Sequence, residues 1–197
     1  MTSELLRRAM TDPGDLALRA LPARAEVLLE GLQASPRLVA HLRVVHDVAC
    51  RLAEWVQRHY PEVDFDREAV VFGAAIHDIG KVEHLGELSG PGSVHEQAGY
   101  ELLLDRGVEE GLARFARTHA SWTAAEVGVE DLLVSLADKV WKAKRVPDLE
   151  QLVTERLTAA SGQQPWEAFM ALDDVLDRIA ADADLRLAFQ ASYPIVA

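Results

Sequence analysis

Apolar residues recur at helical spacing through nearly the whole chain, and no segment alternates apolar and polar residues as a half-buried strand does. That restricts the fold to helices packed on helices, an all-α irregular bundle. The breaks between helices are readable. Asp12-Pro13 predicts the start of an early helix. Ser35-Pro36 is a cap followed by proline at the first helical position and opens a long helix to about His59. Pro61 ends it. Asp66 caps the next helix, which runs to about Asp78, where Gly80 stops it. A glycine-rich loop, Gly86 to Gly92, precedes Ser93-Val94-His95-Glu96, which reads as a capping box. Further helices are predicted near Val108–His119, Val129–Arg145, Leu149–Ala160 and Pro165–Ala181, with a short one before Tyr193-Pro194. Without repeats or linkers, residues 1–197 read as one domain. The C-terminal helices, 148–191, extend it; completing the core, capping a site and forming a homodimer contact all remain open for them.

The formal net charge is -12, from 20 basic and 32 acidic side chains. Nucleic acid and anionic membranes call for a basic face, so neither is an expected partner. A small phosphorylated substrate is not excluded, because a bound metal reverses the local field. The single cysteine, Cys50, permits neither an internal disulfide nor a thiolate metal cluster and reads as a small buried residue. The start, Met-Thr-Ser-Glu, lacks the pattern of a secretory signal, and no apolar run is long enough to span a bilayer, so a cytoplasmic location is expected.

Several polar residues stand where the helical wheel calls for apolar ones. His41 lies on the stripe of Leu38, Val45, Val48 and Leu52. His77 shares a face with Val70 and Gly73, and His95 with Ala98, Gly99 and Leu102. His119 follows Leu112, Phe115 and Ala116, and Asp138 falls between Val134 and Trp141. Singly, each histidine is ordinarily a satisfied core or groove residue, and Asp138 a helix cap or salt-bridge partner. Jointly they are explained by a divalent metal, since a buried carboxylate needs a partner and a buried imidazole needs one at each nitrogen. Histidine with carboxylate suits Mn, Fe, Co, Ni, Zn or Mg. The His77-Asp78 pair is the sharpest feature. Adjacent residues on a helix point about 100° apart, but near a helix end both side chains can reach one ion. His46 competes with His41 for the first ligand position; His59 and His84 read as surface or loop residues.

Over residues 36–145 the sequence resembles the HD-domain superfamily of metal-dependent phosphohydrolases. Three elements carry the resemblance in order: His41-Leu-Arg-Val-Val45 followed by Ala49, Leu52 and Ala53; Ala74-Ala-Ile-His-Asp-Ile-Gly-Lys81; and Ser135-Leu-Ala-Asp-Lys139. The spacing downstream of His41 matches better than that downstream of His46. The resemblance implies His41, His77, Asp78 and Asp138 as metal ligands. His95 and His119 stand where some members hold a second metal, so one or two ions are implied, with Asp78 as the bridge for two. The stretch from His95 is also similar to the HD-GYP branch, which cleaves cyclic di-GMP. However, Thr118 precedes His119 where that branch has a second histidine, and no Gly-Tyr-Pro occurs. The acidic motif of the alarmone-hydrolase branch is absent as well.

The resemblance implies hydrolysis of a nucleotide or related phosphorylated metabolite by a metal-activated water. Asp78 would orient that water, and His95 and His119 would act as ligands, phosphate donors or a general acid. Lys81 is either a phosphate contact or a solvated helix-end lysine. Lys139, Lys142 and Arg145 give the closing helix a basic side, which reads as a solvated face, with phosphate capture as the alternative. The rival readings are an HD-fold di-iron oxygenase, using His41, His77, Asp78, His95, His119 and Asp138, and a non-catalytic metal- or nucleotide-binding module.

Overall fold

The computed structural model describes residues 2–124 and 126–196. Among them it contains α-helices and short 3₁₀ turns and no strand. The helices are α1 (Thr2–Thr11), α2 (Ala23–Gly31), α3 (Pro36–His59), α4 (Arg67–Ile76), α5 (Val94–Asp105), α6 (Glu110–Ala113), α7 (Phe115–Thr118), α8 (Val129–Val140), α9 (Pro147–Ser161), α10 (Pro165–Ala180) and α11 (Ala183–Ala191). Two 3₁₀ turns, Ile79–Val82 and Leu85–Leu88, lie between α4 and α5.

The long helix α3 is the centre of the molecule. It packs against α1, α4, α8, α10 and α11, so it is buried on nearly every side. Two apolar clusters meet on it. Leu38, Val39, Ala40 and Leu42, in its first turns, pack with α1, α2, α5 and the end of α4. Residues from Val44 to Val56 pack with α8, α9 and α10. Arg43 is buried between these halves and donates to the carbonyls of Ala9, Asp12, Leu18 and Arg19, which ties the N-terminal segment to α3. Of the roles open to the C-terminal helices, α9 and α10 take the first: Leu149, Val153, Leu157, Leu172 and Leu176 complete the core around α8.

Several expected boundaries are corrected. The early helix ends at Asp12-Pro13 instead of starting there. Leu5, Leu6, Ala9 and Met10 supply its apolar stripe, and Asp12 accepts from Gly14 to turn the chain. Helix α2 is not among the predicted helices. Ser35 does precede α3, with Pro36 at the first position, but its hydroxyl donates to the Pro194 carbonyl instead of capping. Asp66 caps α4 by accepting from Ala69. The capping box at Ser93 does not form; the Glu87 carboxylate accepts from the Val94 and His95 amides in its place. The segment 108–119 is two short helices, α6 and α7, with Arg114 between them. Helix α8 stops at Val140, five residues before Arg145. Ala143, at φ 57°, is left-handed there, and Lys144 donates to the Lys139 carbonyl, as in a helix-terminating Schellman motif.

Candidate metal centre

The end of α4 and the first 3₁₀ turn place His77 and Asp78 at the middle of the bundle. Gly80 does not simply stop the helix; it is buried inside the 3₁₀ turn, against the backbone of α5. His41 comes from α3, His95 from the first turn of α5, His119 from the residue after α7 and Asp138 from the last turns of α8. All six side chains are buried. A hydrogen-bond bridge aligns α7 with α8: Asp131 accepts from the Thr118 hydroxyl at 2.8 Å and from the Arg114 Nε at 3.2 Å. Thr118, where the cyclic-dinucleotide branch would place a histidine, thus has a different partner.

Two triads form around Asp78. One ligand atom each from His41, His77 and Asp138 lies within 4.8 Å of the others, and the same holds for Asp78, His95 and His119. Asp78 faces both groups. Its Oδ2 is 3.0 Å from His41 Nε2 and 3.7 Å from His77 Nε2. Its Oδ1 is 3.0 Å from His95 Nε2 and 3.5 Å from His119 Nε2. Asp138 Oδ1 is 3.4 Å from His77 Nε2 and 3.8 Å from His41 Nε2.

The far nitrogens of three rings are held from behind. His77 Nδ1–H donates to the Ala74 carbonyl at 2.9 Å, His119 Nδ1–H to the Ala116 carbonyl at 3.0 Å, and His95 Nδ1–H to the Glu87 carboxylate. Donation from Nδ1 leaves Nε2 of a neutral ring as a lone pair. These lone pairs aim at carboxylate oxygens, a repulsive arrangement unless a cation stands between them. His77 Nε2 and His95 Nε2 are buried without a hydrogen-bond partner among the described residues, as such a gap for a cation requires.

The electrostatics fit the same picture. Burial alone would raise the Asp78 carboxyl, but the facing imidazoles of His77, His41 and His95 hold it well below the usual carboxylate range. Burial likewise opposes ionisation of Asp138, and His77 and Lys139 overcome it. Burial pushes His119 down to about 4 and lowers His41 despite its contact with Asp78. Burial alone would lower His95, but its contacts with Asp78 and Glu87 raise it. Anionic oxygens beside imidazole nitrogens are a donor set suited to a divalent ion.

The basic residues divide. Lys81 Nζ is 2.5 Å from Asp78 Oδ2 and is largely buried, so it is not a solvated helix-end lysine. Lys139 Nζ is 2.6 Å from Asp138 Oδ2, with the Trp122 ring 5.6 Å away. Lys142 is exposed beside Trp141. Arg145 is not placed for phosphate capture: Glu150, Asp173 and Asp177 occupy its guanidinium and tie the α8–α9 loop to α9 and α10. His46 lies apart from both triads, with Nε2 3.6 Å from the Cys50 sulfur, and Cys50 is buried as expected. His59 is exposed at the end of α3, and His84 is partly exposed in the loop. Glu87 is a residue of the site that the sequence reading misses. Its only signal there is an acidic residue in a glycine-rich loop eight positions before His95.

An all-helical bundle with a His/Asp cluster at its centre defines a class, the helical metalloproteins whose ligands come from separate helices. The family model of the HD domain matches residues 38–143, and the chain belongs to the HD domain family. That family is mostly metal-dependent hydrolases that bind divalent ions. No curated protein and no solved structure matches the chain. Among the described residues no helix is long and apolar enough to cross a membrane.

Proposed function

We propose that the protein is a metal-dependent phosphohydrolase acting on a nucleotide or related small phosphorylated metabolite. One observation carries this reading: the two carboxylates that face the imidazole lone pairs each hold a lysine ammonium on an oxygen, Lys81 on Asp78 and Lys139 on Asp138. Cation-binding groups thus stand beside lysine ammonium groups, the combination that an anionic phosphoryl group needs. Asp78 turns Oδ2 toward His41 and His77 and Oδ1 toward His95 and His119, which favours two ions over one.

A divalent ion in this donor set supplies an acidified water and polarises a phosphoryl oxygen. His41, His77, Asp78 and Asp138 would hold one such ion, and Asp78, His95 and His119 a second. Asp78 keeps its charge at neutral pH, because the surrounding imidazoles depress its proton affinity. Lys81 and Lys139 exchange their carboxylate partners for phosphoryl oxygens when substrate enters. The Trp122 ring near Lys139 offers an apolar face for the rest of the substrate, in keeping with a nucleobase.

The test is a screen of nucleotides and sugar phosphates with Mn, Co, Ni, Zn and Mg, using wild type and Asp78→Asn. Phosphate or nucleoside release that requires metal and falls at least about 100-fold in the variant is expected. Gathering all six nitrogen and oxygen ligands also favours a second reading, a di-iron oxygenase. Iron-dependent oxygen uptake with no hydrolysis in the screen would select that reading.

A further inference from the structure

Three histidines of the centre are oriented through Nδ1, but not by equivalent partners. His77 and His119 rest on backbone carbonyls of their own helices. His95 rests on a side chain, the Glu87 carboxylate, which comes from the second 3₁₀ turn across the glycine-rich loop. The same carboxylate accepts from the amides of Val94, at 3.2 Å, and His95, at 3.4 Å. Glu87 therefore caps α5 and fixes the ring of its ligand histidine at once. Gly92 closes over it: a side-chain carbon there would lie 2.6 Å from Glu87 Cγ and would displace the Glu87 side chain from this position.

We propose that Glu87 is a positioning residue that sets the tautomer of His95 and thereby the affinity of the position formed by Asp78, His95 and His119. The chemistry is that of a carboxylate–histidine–metal relay. A carboxylate on Nδ1–H fixes the ring and makes Nε2 a stronger donor than a backbone carbonyl does. Only this triad draws a ligand from α5, and Glu87 holds the start of that helix. Order in segment 83–93 and occupancy of this position are thus coupled through one side chain. The inference rests on the metal reading of the site and deepens it.

The test uses imidazole NMR and Zn²⁺ titration of the full-length metal-free protein, as wild type, Glu87→Ala and Glu87→Gln. In wild type, the His95 Nδ1 proton is expected to be deshielded and protected from exchange by the carboxylate. It should vanish or move far upfield in Glu87→Ala, while the His77 and His119 Nδ1 protons stay in place. One Zn²⁺ step should weaken 10- to 100-fold in Glu87→Ala, the effect usual for a partner behind a ligand histidine, and the other should not change. Glu87→Gln keeps an oxygen for the backbone amides, so it should stay folded with an intermediate shift. A His95 Nδ1 proton unmoved in both variants, or Zn²⁺ steps equal to wild type, would overturn the proposal. If wild type takes up a single Zn²⁺, the two-ion reading fails, and the His95 proton alone decides the role of Glu87.

Discussion

Gly80 and Gly99 meet backbone against backbone: a side-chain carbon on Gly80 would stand 2.6 Å from the Gly99 nitrogen and would also strike the His95 carbonyl. The turn that carries Asp78 and the helix that carries His95 are therefore set at the closest spacing two backbones allow. Gly80→Ala should force them apart. We expect a loss of about 1–3 kcal/mol in denaturant unfolding, the usual cost of overpacking, and a lower Zn²⁺ affinity. Unchanged stability together with wild-type affinity would show that the contact does not set the site.

His77→Ala and Asp138→Ala test the centre itself. The residues lie on separate elements, with His77 Nε2 3.4 Å from Asp138 Oδ1. Each variant should lose stoichiometric metal in elemental analysis of protein purified without chelator. Helicity by circular dichroism should stay largely intact, because the apolar contacts of α4 and α8 do not depend on either residue. Full metal occupancy in both variants would refute the assignment.

His46 makes a separate prediction about pH. Burial pushes its imidazole down to about 4, and among the described residues no carboxylate hydrogen bond compensates. The unfolded chain, near the ordinary 6.5, binds the proton more readily, so stability is complete above that value and is lost as pH falls toward about 4. The contribution is about 3 kcal/mol at most. With EDTA present in both proteins, the wild type should destabilise more steeply over this window than His46→Leu. Parallel pH profiles would place the acid sensitivity elsewhere.

Much of this architecture is legible in the residue pattern itself, and the exceptions have physical causes. The helices with strong apolar periodicity, α3, α4, α8 and α10, start where their patterns predict, because burial of one face or of the whole helix writes the pattern directly. The six residues of the centre are conspicuous for the opposite reason, as polar groups on apolar faces. The features that escape a sequence reading depend on tertiary context. Helix α2 starts after Pro22 without a side-chain cap and buries only Ala25 and Leu29. The break at Arg114 comes where its guanidinium reaches Asp131, 17 residues away, which no local pattern records. Ser93 offers a good capping sequence, yet a carboxylate from another turn occupies the place. Glu87 and the tether of Arg145 are unreadable in the same way, since each is defined by partners across a loop.

Helix α3 buries 18 of its 24 residues, and His41 is its only contribution to the triads. A helix gripped on every side is fixed in register as well as in position. Loss of Leu42, between His41 and Arg43, would turn the ligand by about 100° and shift it along the axis by about 1.5 Å relative to the rest of α3. The remaining faces could not follow, because Arg43 is locked to four carbonyls and Val44 to Val56 are set against α8, α9 and α10. Length variation in related chains should therefore be excluded from this helix. The distance along the sequence from His41 to Val56 should be among the least variable measures of the whole protein.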